Sequence, residues 1–299
     1  MLPACVSTRK PAWPTLVTCT NFLSAGRSTY REFSGRCRTR LTSVEPAYGT
    51  VIAAVRLLWR IQGLSFTITG MENLPAVGGA VVAINHTGYF DFTFAGLPSY
   101  RLTPPRLVRF MAKKEVFDHS VTGPIMRSLR HIPVDRSSGA ASFDAAVRAL
   151  GAGELVGVYP EATISRSFEL KEFKSGAARM AIAADVPIIP HIVWGAQRIW
   201  TKDHPRNMWR PKVPISIAVG EPIPPSLPAT ELTALLRSRM QHLLKAVQDA
   251  YGSHPPGAFW VPHSLGGGAP TPAEAAELET AELAERAARR EQHGIGTAD

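Results

Sequence analysis

The chain has 299 residues, 45% of them hydrophobic, and a formal net charge of +9. That length and apolar content suit one large α/β domain or two small ones with a substantial core. Its only cysteines, Cys5, Cys19 and Cys37, fall in the first 44 residues. A disulfide framework or a cysteine metal centre is thereby excluded from the body, and a reducing compartment is the simpler setting.

Charge is spread unevenly. Residues 1–44 hold seven Lys/Arg and one acid, residues 45–268 hold 23 and 16, and residues 269–299 hold three and seven. A basic body suits anionic partners such as phosphates or a membrane surface; a solvated surface with a mild basic excess fits equally. Residues 1–44 are rich in Ser, Thr and Arg and show no helical or strand period. They read as a disordered basic extension, as an organellar transit peptide, or as sequence upstream of the natural start.

Residues 45–63 contain VIAAVRLLWRI, with Val51, Ile52, Val55, Leu58 and Trp59 at three- and four-residue spacing. This is an amphipathic helix, too short to span a bilayer and interrupted by Arg56 and Arg60. It either lies in a membrane interface, with Trp59 and the arginines near the headgroups, or packs on the body as an ordinary helix. Residues 64–69 alternate as a strand, and 70–75 turn the chain. Residues 81–84, VVAI, form a short β-branched run after Gly78-Gly79, which predicts a buried strand. His86 falls on the turn where the chain leaves that strand. Gly88 supports a turn because glycine takes backbone angles other residues resist. Residues 90–97 begin a helix.

Further strands are predicted over 106–111, 132–134, 155–159, 187–194 and 213–219. Helices are predicted over 125–129, 142–150, 174–184 and 229–251. Pro255, Pro256, Pro262 and 266–268 mark a loop. Thr271-Pro272 then starts an Ala/Glu helix to about residue 292, with no wide apolar face and so solvated. Alternating strands and helices predict a single α/β domain, a mostly parallel or mixed sheet flanked by helices.

Polar residues recur at the strand ends, where open α/β sheets place ligand sites. They are His86 and Asp91, Lys113 and Lys114, Arg136, and Glu161 with Thr163. On a regular helix His86 and Asp91 would stand about 140° apart. They meet only if His86 precedes the helix and Asp91 opens it. Asp91 could then hold one ring nitrogen of His86 and leave the other to accept a proton. Such a dyad has no nucleophile of its own and would activate a substrate hydroxyl. The alternative is a surface histidine and a helix-start aspartate that never meet. Glu161 after a proline could equally cap a turn.

Four blocks in order resemble the glycerolipid acyltransferases, the type that acylates 1-acyl-glycerol-3-phosphate to phosphatidic acid. They are NHTGYFD (85–91), HIPVDR (131–136), VYPEATIS (158–165) and VPIIPHIVWG (186–195), with EFKSGAARMA (172–181) after the third. The likeness covers roughly residues 50–250. It implies an acyltransferase domain over 45–252, flanked by the 1–44 extension and a 253–299 tail. It also implies that His86 is the general base and that Asp91 orients it. The donor would be acyl-CoA or acyl-carrier protein as co-substrate, with no cofactor and no metal. The acceptor would be a lysophospholipid, its phosphate and glycerol held by Arg136, Glu161 and Thr163. Lys113, Lys114 or backbone N–H groups near the first block would steady the oxyanion. The enzyme would be membrane-associated, at the cytoplasmic face of the plasma membrane, with organellar targeting by 1–44 left open.

The third block departs from the family pattern. Ala162 stands where glycine is usual, adding a methyl where a ligand approaches. Ile164 stands where arginine is usual, and Arg166 is its candidate replacement. Another lipid or glycolipid acceptor therefore stays open, as does thioester hydrolysis by the same dyad. Leu58, Trp59 and the loop after Asp91 are candidates for an acyl-chain groove or for core packing. No G-x-S-x-G elbow occurs, and His119, His131 and His191 are scattered without metal-ligand spacing. No nucleic-acid module is present.

Overall fold

The structure, a computed structural model, describes residues 46–135 and 139–295. The 1–44 extension with its cysteines, and Arg136, lie outside the described residues. Helix α1 (Pro46–Gln62) leads into β1 (Ser65–Thr69) and β2 (Ala80–Ile84). Short helices α2 (Asp91–Ala95) and α3 (Leu97–Tyr100) precede β3 (Val108–Lys113). Then come α4 (Lys114–Asp118), α5 (Thr122–Ser128), β4 (Ile132–Val134), α6 (Gly139–Gly151) and β5 (Leu155–Val158). They are followed by α7 (Gly176–Ala184), β6 (Ile188–Trp194), β7 (Pro214–Val219), α8 (Ala229–Tyr251) and α9 (Pro272–Ile295).

The sheet runs β1-β7-β6-β2-β5-β3-β4. Every neighbouring pair is parallel except β6–β7. It is therefore the mixed, mostly parallel sheet expected. Strands β2 and β6 are buried along their whole length because both faces are covered, which is why they read as unbroken apolar runs. One face packs on α6, α7 and α8, where Leu150, Met180 and Leu236 are buried. The other packs on α1, α2 and α3, through Trp59, Phe94 and Leu97. On α8 the buried residues Leu232, Leu236, Met240, Leu244 and Val247 keep helical spacing.

Strand β3 runs two residues beyond its predicted end. Its last three residues, Met111, Ala112 and Lys113, pair with Ile132, Pro133 and Val134 of β4. Parallel pairing of Ala83 with Val158 ends β2 and β5 within a residue of each other. The loops after both strands therefore meet at one edge of the sheet. Among the described residues, no helix is long and apolar enough to cross a membrane.

The scattered histidines have structural surroundings. His131 Nδ1 accepts the Phe110 N–H at 3.1 Å, and burial with the nearby Arg109 charge lowers its pKa to about 4. His191 is buried in β6 with neither ring nitrogen bonded within the protein, and burial lowers its pKa to about 3. Both rings protonate near 6.5 when the chain unfolds. The unfolded state then binds more protons than the folded one below that value, so stability falls as pH drops from about 6.5 toward 4. Denaturant unfolding at a series of pH values should show this slope, and His191→Leu should flatten it. An unchanged slope in the variant would place the acid sensitivity elsewhere.

Candidate active site

The site begins at Asn85, the first residue past β2. Its side chain donates to Val193 O at 3.0 Å and accepts Val193 N–H at 2.7 Å. This pair of hydrogen bonds ties the end of β2 to β6 and sets where the next residue leaves the sheet. His86 follows on the turn, and Asp91 opens α2. Asp91 is fully buried, His86 is 19% exposed, and His86 Nδ1 lies 3.0 Å from Asp91 Oδ2. The same Oδ2 accepts the backbone N–H groups of Thr87 at 2.7 Å and Gly88 at 2.9 Å. A carboxylate can only accept, so Nδ1 carries the proton and Nε2 is the lone-pair nitrogen. The two residues that sequence spacing left open are thus brought together.

The backbone of His86 is held from the third block. Its N–H donates to Glu161 Oε1 at 2.8 Å, and its carbonyl accepts Ser165 N–H at 2.8 Å. The Tyr159 ring stacks on the imidazole, with centroids 4.0 Å apart and planes 19° apart. Burial, then the Asp91 charge, raise the Tyr159 pKa. A phenol that stays neutral beside the imidazole fixes the ring plane without adding charge. From the other side, Thr201 Oγ1 donates to Thr87 O at 2.7 Å and Tyr89 N–H to Trp200 O at 3.0 Å.

Glu161 is 3% exposed, and its second oxygen accepts Lys171 N–H at 3.0 Å. Burial pushes its carboxyl up to about 7, against the backbone bonds from Lys171 and His86. Glu161 thus joins two segments of chain, one oxygen on each backbone N–H. Gly88 is not needed for its backbone angle. A Cβ there would stand 2.9 Å from Trp200 O and 3.2 Å from Ala196 C, so close approach requires the glycine. It is Ala162 that has a positive φ, 63°, a conformation glycine adopts freely.

The remaining candidates fall in three places. Lys113 ends β3, and Lys114, exposed at the start of α4, pairs with Asp135 at 3.4 Å. Ile164 is buried in the core. Thr163 and Arg166 belong to a polar cluster with Lys171 and Lys202, fastened by Glu279 and Glu282 of α9. Sequence reasoning missed Asn85, Tyr159 and Ser165, although the blocks contain all three. Lys171 and Lys202 carry no local signal; only the fold brings them to Thr163 and Arg166.

Beside α2 an apolar groove is lined by Val51, Ile52, Val55 and Trp59 of α1 and by Phe92 and Tyr100. Phe92, which follows Asp91 in α2, lines the groove, whereas His86 and Asp91 do not. Trp59 lines it, whereas Leu58 does not and is exposed. Among the described residues, no group of three His, Cys, Asp or Glu side chains could hold a metal ion.

A family model described as Acyltransferase matches residues 65–194. The 1-acyl-sn-glycerol-3-phosphate acyltransferase of Bacillus subtilis is 26% identical over 201 residues, which cover 66% of this chain and 94% of that protein. That of Limnanthes douglasii is 33% identical over 180 residues, covering 59% of this chain and 60% of the plant protein. The crystal structure of a 1-acyl-sn-glycerophosphate (LPA) acyltransferase, PlsC, from Thermotoga maritima superposes with a TM-score of 0.56. It covers 69% of this chain and 82% of that one at 18% identity, a likeness of fold.

Two substitutions test the turn geometry. Ala162→Gly relieves the positive φ and is expected to raise stability by about 0.5–1 kcal/mol. Gly88→Ala forces the Trp200 and Ala196 backbone away and is expected to lower stability by about 1–3 kcal/mol. Thermal melts of both variants read the sign directly; the opposite sign in either would refute the strain assigned to that residue.

Proposed function

From the match of residues 65–194 to the Acyltransferase family model, we propose that the chain moves a fatty acyl group from acyl-CoA or acyl-carrier protein to the free hydroxyl of a lysophospholipid, 1-acyl-glycerol-3-phosphate giving phosphatidic acid. The names of the relatives support this acceptor and a place in phospholipid synthesis. The observation that carries the mechanism is the 3.0 Å contact between His86 Nδ1 and buried Asp91. His86 Nε2 takes the proton from the acceptor hydroxyl as its oxygen attacks the thioester carbonyl. Asp91 holds the ring and balances the imidazolium. The tetrahedral intermediate collapses with cleavage of the C–S bond, and the imidazolium returns the proton to the leaving thiolate. No acyl-enzyme forms.

Thr87 and Gly88 N–H groups are already committed to Asp91. The oxyanion donor is therefore sought elsewhere, with Lys113 and Lys114 retained as candidates. The apolar groove between α1 and α2 supports binding of the acyl chain, since Phe92, the residue after Asp91, is part of its lining. The outward side of α1 exposes Leu57 (58%), Leu58 and Ile61. That face, flanked by Arg56 and Arg60, supports association with a membrane surface.

His86→Ala is expected to fold normally and to lose at least about 100-fold in acyl transfer, the contribution of a general base. An acceptor panel supplied with acyl-CoA and read by mass spectrometry gives acceptor identity and, as free fatty acid, any thioester hydrolysis. Transfer retained by the variant removes the proposed base. Leu57→Glu/Ile61→Glu is expected to abolish flotation with vesicles containing anionic lipid; flotation equal to wild type counts against the α1 face.

A further inference from the structure

Helix α9 lies beyond the family match, which ends at residue 194. Its apolar residues Leu278 and Leu283 are exposed. What it turns toward the body is a stripe of Ala275, Glu279 and Glu282, one face at helical spacing. Glu279 accepts hydrogen bonds from Thr163 Oγ1 at 2.5 Å and from Lys171 Nζ, which also donates to Thr163. Glu282 Oε2 accepts from Arg166 at 2.9 Å and Lys202 at 2.8 Å. The helix is therefore docked by carboxylates rather than by apolar burial.

The cations are shielded by the helix itself. With α9 docked, the Arg166 and Lys202 side chains are 10% and 12% exposed. Charges screened from water in this way need a counter-ion in reach, and α9 supplies it. With α9 set aside, Asp203 remains on Arg166 and the buried Glu161 remains near Lys171, so among the described residues the cluster of three cations keeps a positive excess. A phosphate monoester carries about −1.5 to −2 near neutral pH, with three acceptor oxygens. The cluster also adjoins the dyad. Lys171 N–H and His86 N–H hang from the two oxygens of Glu161. Thr163 stands two residues before Ser165, whose N–H holds the His86 carbonyl.

We propose that Thr163, Arg166, Lys171 and Lys202 form a seat for a phosphate monoester, and that Glu279 and Glu282 of α9 occupy it as a strap until the ester displaces them. Ion pairs that become solvated as the helix lifts shift an equilibrium by no more than about fivefold each, so the three that join Glu279 and Glu282 to Lys171, Arg166 and Lys202 make a reversible closure. Acid does not open it. Burial works to raise the Glu282 pKa, but the Lys202 and Arg166 hydrogen bonds hold it down to about 2, and Glu279 is likewise lowered. Competition by another anion is the remaining route. This inference rests on the acceptor reading above in taking the ester to be a substrate group.

The test uses the full chain. Hydrogen exchange across α9 is measured with free glycerol 3-phosphate, with lysophosphatidic acid in phosphatidylcholine vesicles, and with glycerol as control. Faster exchange with either phosphate ester, and none with glycerol, is expected. A response to the free ester assigns the seat to soluble phosphate esters as well, and a response to the vesicles alone assigns it to the lipid headgroup. In Glu279→Gln/Glu282→Gln, checked for an unchanged melt, KM for lysophosphatidic acid should fall by between about 2-fold and about 100-fold, with KM for monoacylglycerol unmoved. Unchanged α9 exchange in all arms, or an equal KM change for both acceptors, overturns the proposal. If an ester frees α9 but no phosphorylated acceptor is acylated, the acceptor reading falls and the seat stands. Acylation with α9 unmoved removes the seat alone.

Discussion

One oxygen atom organises the turn on which everything else hangs. Asp91 Oδ2 takes three N–H donors, from the His86 ring and from the Thr87 and Gly88 backbone. A loop leaving a buried strand must find partners for its amides, because each orphan costs about 1–3 kcal/mol. Here the same carboxylate that satisfies two amides also sets the imidazole tautomer. Fold and chemistry are not separable at this residue. The Thr87 and Gly88 amides are thereby committed to Asp91 in the turn that positions His86.

The sheet was legible wherever burial was complete on both faces. VVAI and IIPHIVW are runs without polar relief other than the proline and histidine of β6, and they became β2 and β6. Helix α8 was legible because its apolar spacing persists over 23 residues. What could not be read was direction. Nothing local in PISIAV announces that β7 runs antiparallel to β6 while lying parallel to β1, since pairing depends on partners far away in the chain.

The dyad was only half legible. Five-residue spacing permitted contact and did not demand it; the outcome was decided by Asn85 clamping the strand end to Val193 and by Glu161 and Ser165 gripping the His86 backbone. Gly88 and Ala162 show how a residue type can mislead. Glycine is there for the approach of Trp200 and Ala196, and the left-handed backbone belongs to an alanine. Local composition cannot tell a crowded site from a twisted one.

The two sides of the site are held by different physics. The base side is anchored by buried backbone hydrogen bonds that open only with the surrounding sheet. The polar side is anchored by ion pairs among long side chains near the surface, the kind of contact that opens locally at little cost. In the proposed mechanism a proton acceptor must keep its place against a carbonyl throughout transfer, whereas a headgroup must enter and leave. Helix α9 was read as solvated because it lacks an apolar face, and the omission was to treat apolar area as the sole means of docking. Arg166 and Lys202 reverse that reasoning: they are 10% and 12% exposed beneath α9, which supplies their counter-ion, so a helix without an apolar face docks by charge instead.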